Sequence, residues 1–200
     1  MSKSGELRDP IHGFIQRSDI EQKLIDTSVF QRLRGIKQLS MANLVYPGAL
    51  HTRFDHSIGV MHVAGRMAEK LEVDWEKLPN VRLSALLHDI GHGPFSHVSE
   101  DLLYKYYDKR RVKPKNNEKI HELLTCQIIE SNKELSRIPF DREKVSGLIL
   151  GTLDEPFVHG IISGPLDADK LDYLLRDSYF CGVKYGIYDI DRLIGTLLPQ

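Results

Sequence analysis

The adjacent pair His88-Asp89 stands where an apolar run meets glycine, in VRLSALLHDIG. An imidazole beside a carboxylate offers two kinds of ligand to a divalent ion. Neighbouring helical residues point about 100° apart, so the two can converge on one ion only where a helix ends. Burying an ionised aspartate is costly unless a cation or another partner compensates it. A hydrogen-bonded His-Asp pair with a structural role meets the same requirement, and the dipeptide alone does not decide between them.

The surrounding residues add to the case. Six of the nine histidines fall between residues 51 and 97: His51, His56, His62, His88, His92 and His97. The segment HDIGHGPFSH sets His92 and His97 on a loop bent by glycine and proline. Imidazole titrates near neutral pH, so histidines beside a buried acid suit proton transfer. His92 has an alternative role in supporting the loop. Glu100, three residues after His97, is spaced to orient that ring on a helix.

His56 follows Arg53 by three positions, which places both on one helix face. An imidazole ligand next to a guanidinium suits a metal-bound phosphate. A surface salt bridge is the ordinary alternative for Arg53. Asp55 points elsewhere and fits a solvated position or a helix start. Later, Asp169, Tyr173 and Asp177 recur at i, i+4 and i+8 on one face. Such a stripe is usually solvated. Here Leu171, Leu174 and Leu175 set a core side that the carboxylates flank. Asp169 then fits a metal ligand, and Tyr173 and Asp177 fit hydrogen bonds to a polar substrate.

The elements that must position these residues are mostly helical. Residues 7–18 carry Pro10 and Gly13 beside short apolar alternation, the pattern of a small hairpin. Asp26-Thr27 starts a helix in which Phe30, Leu33, Ile36 and Leu39 recur at helical spacing. Pro47-Gly48 marks a turn. An amphipathic helix is expected over Arg53–Leu71 and a buried one over Val81–Ile90, stopped by Gly91 and Gly93-Pro94. Another runs through Leu102-Leu103 to Tyr107, and more over 121–130, 141–150, 167–180 and 189–198. The fold class is mostly α, with strand only near the start.

At 200 residues the chain fits one domain, 1–200, with enough length for a core. Apolar residues at 41% and charged residues at 28% are those of a soluble globular protein. A net charge of -1 gives no global attraction to nucleic acid or anionic membrane. The basic segment Lys109, Arg110, Arg111, Lys113, Lys115 could still attract phosphates locally, and an exposed loop is its commoner role. No apolar run approaches the roughly 18–20 residues that span a bilayer. The opening MSKSGELRDP lacks the apolar stretch of a signal peptide, so the expected setting is cytoplasmic. Cys126 and Cys181 form no motif and are expected as reduced thiols.

Together the segments DPIHGFI, IDTSVFQRLRGIKQL, YPGALHTRFDHSIGV, LLHDIGHGPFSH and LDADKLDYLLRDSYFCGV resemble the HD superfamily of metal phosphohydrolases. The resemblance is to its deoxynucleoside triphosphate triphosphohydrolase branch, in order over most of residues 8–185. It implies an HD-type helical bundle and a metal held by His56, His88, Asp89 and Asp169. It implies His92, His97, Glu100 and His121 as the catalytic network, with His97 protonating the leaving 5′-oxygen. Arg53 and Lys170 would contact phosphates. Tyr173 and Asp177 would hold the sugar 3′-hydroxyl, with Gln38 and Leu39 near the sugar edge. In regulated members, the residues matching Asp26, Gln31 and Arg34 form an activator site for a guanine nucleotide. The implied partners are a nucleotide substrate and further copies of the chain. Members of the family are usually longer, so the chain is read either as the N-terminal part of such an architecture or as a minimal form of it.

The mixed N/O ligand set suits Mn, Fe, Ni, Co or Mg, with a second Mg accompanying the substrate. Three readings follow: a dNTP triphosphohydrolase; an HD phosphohydrolase of nucleoside monophosphates or another phosphoester; and a nucleotide- or nucleic-acid-binding module using the basic segment at 109–115.

Overall fold

A computed structural model describes residues 3–95 and 120–199, together with Ser99, Leu102, Lys105 and Tyr106. Two strands, β1 (Lys3–Asp9) and β2 (Gly13–Ser18), pair antiparallel with Leu7 opposite Ile15 and Asp9 opposite Gly13. The turn is closed by Asp9, whose Oδ1 accepts the backbone N–H groups of Ile11 and His12 at 2.8 and 2.9 Å. Gly13 leaves the turn at φ +75°, a conformation that glycine adopts without steric cost.

The helices are α1 (Asp19–Ile25), α2 (Ser28–Gln31), α3 (Arg53–Lys70), α4 (Leu78–Leu87), α5 (Ile120–Ser131), α6 (Arg142–Leu150), α7 (Pro156–Ile162), α8 (Ala168–Cys181) and α9 (Ile190–Gly195). Helix α3 is central and packs against α4, α7, α8 and α9. Thirteen of its 18 residues are buried, so it is not the two-faced helix that its apolar spacing suggests. One flank, with Phe54, Ile58 and Met61, joins a core with Phe30, Leu86 and Ile129. The other, with Val60, Val63 and Met67, joins a second core with Val81, Ile161 and Leu171. Small residues at Ser57, Gly59, Ala64 and Gly65 let neighbours close on it from all sides. Each fully buried large apolar side chain contributes roughly 1.5–3 kcal/mol.

Several sequence expectations hold, and others are corrected. Helices α3, α5, α6 and α8 lie where periodicity places them, within a residue or two, and the hairpin is found but begins four residues before Leu7. The helix expected from Asp26 through Leu39 is instead short. It follows the unforeseen α1, tightens into a 3₁₀ turn at Arg32–Gly35, and gives way to extended backbone at Ile36. Helix α4 starts earlier than expected and ends at Leu87, three residues before Ile90. Helix α7 was not foreseen, and α9 stops at Gly195. On α8 the buried side carries Leu171, Asp172, Arg176, Asp177 and Ser178, while Leu174 and Leu175 are only half-buried. Charge on this face is compensated by ion pairs, which apolar periodicity does not register. The expected helix through Leu102-Leu103 and the basic segment at 109–115 fall largely or wholly outside the described residues. Among the described residues, no helix is long and apolar enough to cross a membrane.

Candidate metal centre

Helix α3 begins at Arg53 because Thr52 and Asp55 form a capping box, each side chain accepting the other's backbone N–H. Asp55 therefore has the helix-start role its spacing suggested. Arg53 and His56 consequently occupy the first turn. Just upstream, the chain folds back on itself: Gln38 donates its N–H to His51 O at 3.0 Å, and Arg53 donates to Ile36 O at 2.9 Å. Gln38 is thereby held beside Arg53.

His88 is the C-terminal cap of α4, and Asp89 lies in the turn that follows. That turn is held from two sides. Thr125 on α5 donates its hydroxyl to His88 O and accepts from Gly91 N, both at 2.9 Å. Arg32 donates to Ile90 O at 2.7 Å and to His92 O at 2.8 Å. The carbonyls left unpaired where a helix ends are thus partly taken by side chains.

The ring orientations follow from the outer hydrogen bonds. His88 Nδ1 lies 2.7 Å from Ala85 O, which can only accept, so the proton sits on Nδ1. His56 Nδ1 donates to Asp172 Oδ2 at 2.8 Å. Both Nε2 lone pairs then face inward. Both are buried, and neither Nε2 atom makes a well-aligned hydrogen bond. His56, His88 and Asp169 each present a ligand atom, all within 4.8 Å of one another. Asp89 stands beside them, with Oδ1 3.3 Å from His88 Nε2 and Oδ2 4.0 Å from His56 Nε2. Two inward-facing nitrogens converging with a carboxylate fit a divalent cation. Mixed imidazole and carboxylate donors suit Mn, Fe, Co, Ni or Mg over a metal selected by thiolates.

Electrostatics point the same way. His56 Nε2 and Asp169 Oδ1 face each other across 2.9 Å, a contact that requires positive charge between them. In the metal-free chain a second proton supplies it. Burial opposes that proton, but Asp169 and Asp172 outweigh burial and raise the His56 pKa to about 10. A bound cation would take the proton's place. Burial also works against the Asp89 carboxylate, yet His88, Arg53 and His92 hold its pKa well below the usual range. Asp169 is likewise lowered, with His56 outweighing burial. His92 behaves oppositely: burial, reinforced by Arg53, His121 and His88, outweighs Asp89 and lowers it to about 2, so its ring is neutral. Its Nε2 lies 3.4 Å from Asp89 Oδ1, and its ring stacks on His121 at 3.9 Å.

His88, Asp89, His92, His121 and Asp169 line a cavity of about 290 Å³ that also presents Gln38, Arg53, Glu122, Lys170 and Tyr173, with His56 buried outside its wall. Arg53 is buried and paired with Asp89, so the surface salt bridge is excluded. The Lys170 ammonium donates to Gly164 O at 2.8 Å and also to Asp167. Asp177 and Leu39 are not part of the cavity wall. Asp177 Oδ1 is instead 2.7 Å from His51 Nε2, and the His51 ring stacks on Phe180 at 4.8 Å. Gln31 and Arg34 meet at 2.8 Å, with the Arg34 guanidinium over the Phe54 ring, whereas Asp26 bonds Gln22 at 2.7 Å. His97 and Glu100 lie outside the described residues. Residue patterning missed Thr125, Arg32, Asp172 and Arg176. The spacing of Asp172 and Arg176, four apart on one helix, was the available signal for an ion pair.

Residues 53–176 match the family described as HD domain. An uncharacterized protein of Methanocaldococcus jannaschii is 42% identical over 96% of this chain and 37% of its own length. A protein of Dictyostelium discoideum named deoxynucleoside triphosphate triphosphohydrolase SAMHD1 homolog is 34% identical over 94% of this chain and 38% of its own. The crystal structure of a hypothetical protein from Aquifex aeolicus superposes with a TM-score of 0.83 at 40% identity, over 97% of this chain and 51% of that one. A Bacteroides thetaiotaomicron protein titled phosphohydrolase gives 0.79 at 32%, over 98% and 47%. The chain spans about half or less of the length of these relatives. With its HD pair placed at the end of α4, between His56 of α3 and Asp169 of α8, the chain belongs to the HD domain family.

Proposed function

We propose that the chain hydrolyses deoxynucleoside triphosphates to deoxynucleoside and triphosphate at a divalent metal held by His56, His88, Asp89 and Asp169. The observation that carries this reading is the convergence of the buried Nε2 atoms of His56 and His88 with Asp169, where His88 and Asp169 line a cavity shared with Arg53 and Lys170. The Dictyostelium relative, named as a deoxynucleoside triphosphate triphosphohydrolase, supports the substrate.

When bound, the metal supplies Lewis acidity toward a phosphoryl oxygen and lowers the pKa of a water. The chain's own residues do the rest. Arg53 and Lys170 offset charge on the phosphates, and Arg53 also keeps Asp89 ionised. The neutral His92, stacked on His121, accepts or relays a proton beside Asp89. Water oxygen adds to the α-phosphorus, the bond from phosphorus to the 5′-oxygen breaks, and that oxygen takes a proton. His97, oriented by Glu100, is the proposed donor. Tyr173 and Gln38 line the cavity at positions suited to the sugar, whereas Leu39 and Asp177, also proposed for the sugar, lie outside its wall. Asp26, Gln31 and Arg34 are the proposed activator site.

The test is incubation of the purified chain with each dNTP and Mn²⁺, with products resolved by anion-exchange chromatography. Triphosphate and deoxynucleoside are expected, and His88→Ala should abolish both. Stepwise loss of phosphate would favour another phosphoester substrate. No turnover by folded, metal-loaded protein would refute the proposal.

A further inference from the structure

Asp172 is fully buried and is reached from three elements. Its Oδ1 accepts from His12 Nε2 at 2.6 Å and from Arg176 Nη2 at 2.8 Å. Its Oδ2 accepts from His56 Nδ1 and Arg176 Nε, both at 2.8 Å. A carboxylate offers about four lone-pair positions, so these donors fill it. Arg176 also donates to Asp9 at 2.9 Å, and Asp9 closes the hairpin turn that carries His12. The turn is therefore tied to this carboxylate by two routes. Room for the carboxylate is made on α3 itself: a Cβ on Gly59 would stand 1.9 Å from Asp172 Oδ1.

We propose that His12, on the turn of the N-terminal hairpin, is a positioning residue for His56, acting through Asp172. The inference rests on His56 being a metal ligand. His12 is absent from the cavity wall and stands 160 residues from Asp172 in sequence. Its bond to Oδ1 adds to that of Arg176 in fixing the carboxylate whose other oxygen orients the His56 ring. Without it, Asp172 has one fewer restraint against rotation. The His56 ring then loses the orientation that aims Nε2 at His88 and Asp169. The hairpin thus becomes a working part of the metal centre, by the general rule that outer hydrogen bonds orient a ligating imidazole.

The experiment is a Mn²⁺ titration of the wild type, His12→Leu and His12→Gln, with unbound Mn²⁺ read by its paramagnetic resonance. Melting temperatures of the metal-free proteins are measured alongside. Glutamine Nε2 stands as many bonds from Cα as imidazole Nε2 and can donate to Asp172; leucine fills space without a donor. His12→Leu is expected to weaken Mn²⁺ binding about 10–100-fold, and His12→Gln to restore it toward the wild type. Tight binding by His12→Leu, beside a tight-binding wild type, overturns this inference alone. So does an equal loss in both variants that follows their melting temperatures, which would make His12 a packing residue. A folded wild type that binds no Mn²⁺ overturns the metal centre itself, and this inference with it.

Discussion

The hydroxyl of Thr125 bridges the end of α4, donating to His88 O and accepting from Gly91 N, each at 2.9 Å. A ligand residue is thereby pinned from a neighbouring helix. The fit is close: a Cβ on Gly91 would lie 2.3 Å from His121 O. Thr125→Val keeps the shape but leaves a buried carbonyl and a buried N–H without that partner. Metal-free protein should lose about 2 kcal/mol or more in urea denaturation. A change within about 0.5 kcal/mol would show that the bridge has no energetic role.

Metal should stabilise the fold, because a cation would be shared by the buried Nε2 atoms of His56 and His88 and the Asp169 carboxylate. At a concentration about 100 times its dissociation constant, Mn²⁺ should add about 2.7 kcal/mol, reversed by a chelator. His88→Ala should show no such increment. Equal stabilisation of that variant would place the ion elsewhere.

Gly59 is the position on α3 against which Asp172 and Arg176 pack. Gly59→Ala raises helix propensity but overfills this contact, and should cost roughly 1–3 kcal/mol. Mn²⁺ affinity should fall with it, since the displaced carboxylate orients His56. Calorimetry that found the variant more stable than the parent would contradict the packing described.

His62 supplies a pH dependence away from the metal centre. Burial, then the charges of His12, Arg66 and Arg82, lower it from 6.5 to about 4. The unfolded chain takes up this proton first, so protonation favours unfolding. The contribution is fully present above about 6.5 and is lost as pH falls toward about 4. His62→Gln should lose less stability between pH 7 and pH 5 than the parent, as followed by denaturant titration with chelator present. Parallel losses in both proteins would exclude His62 as the source.

How far the sequence could be read depended on how local each feature is. The Thr52-Asp55 capping box and the apolar repeat after it mark α3 almost to the residue, because a helix satisfies its backbone internally. The end of α4 was misjudged because Thr125 and Arg32, remote in sequence, hold the turn that follows it. Asp172 and Arg176 escaped notice because a buried ion pair on an otherwise apolar face has no signature in hydrophobic periodicity.

Sequence by itself determined the residue types of the centre, the helices that carry most of them and the family to which the chain belongs. These follow from spacings within single elements and from an ordered set of motifs. Only the tertiary structure decided which nitrogen of each ring faces inward, that Arg53 is buried against Asp89, and that Asp177 pairs with His51 outside the cavity wall. Ring orientation and ionisation are set by partners far apart along the chain, and those partners meet only when the helices pack.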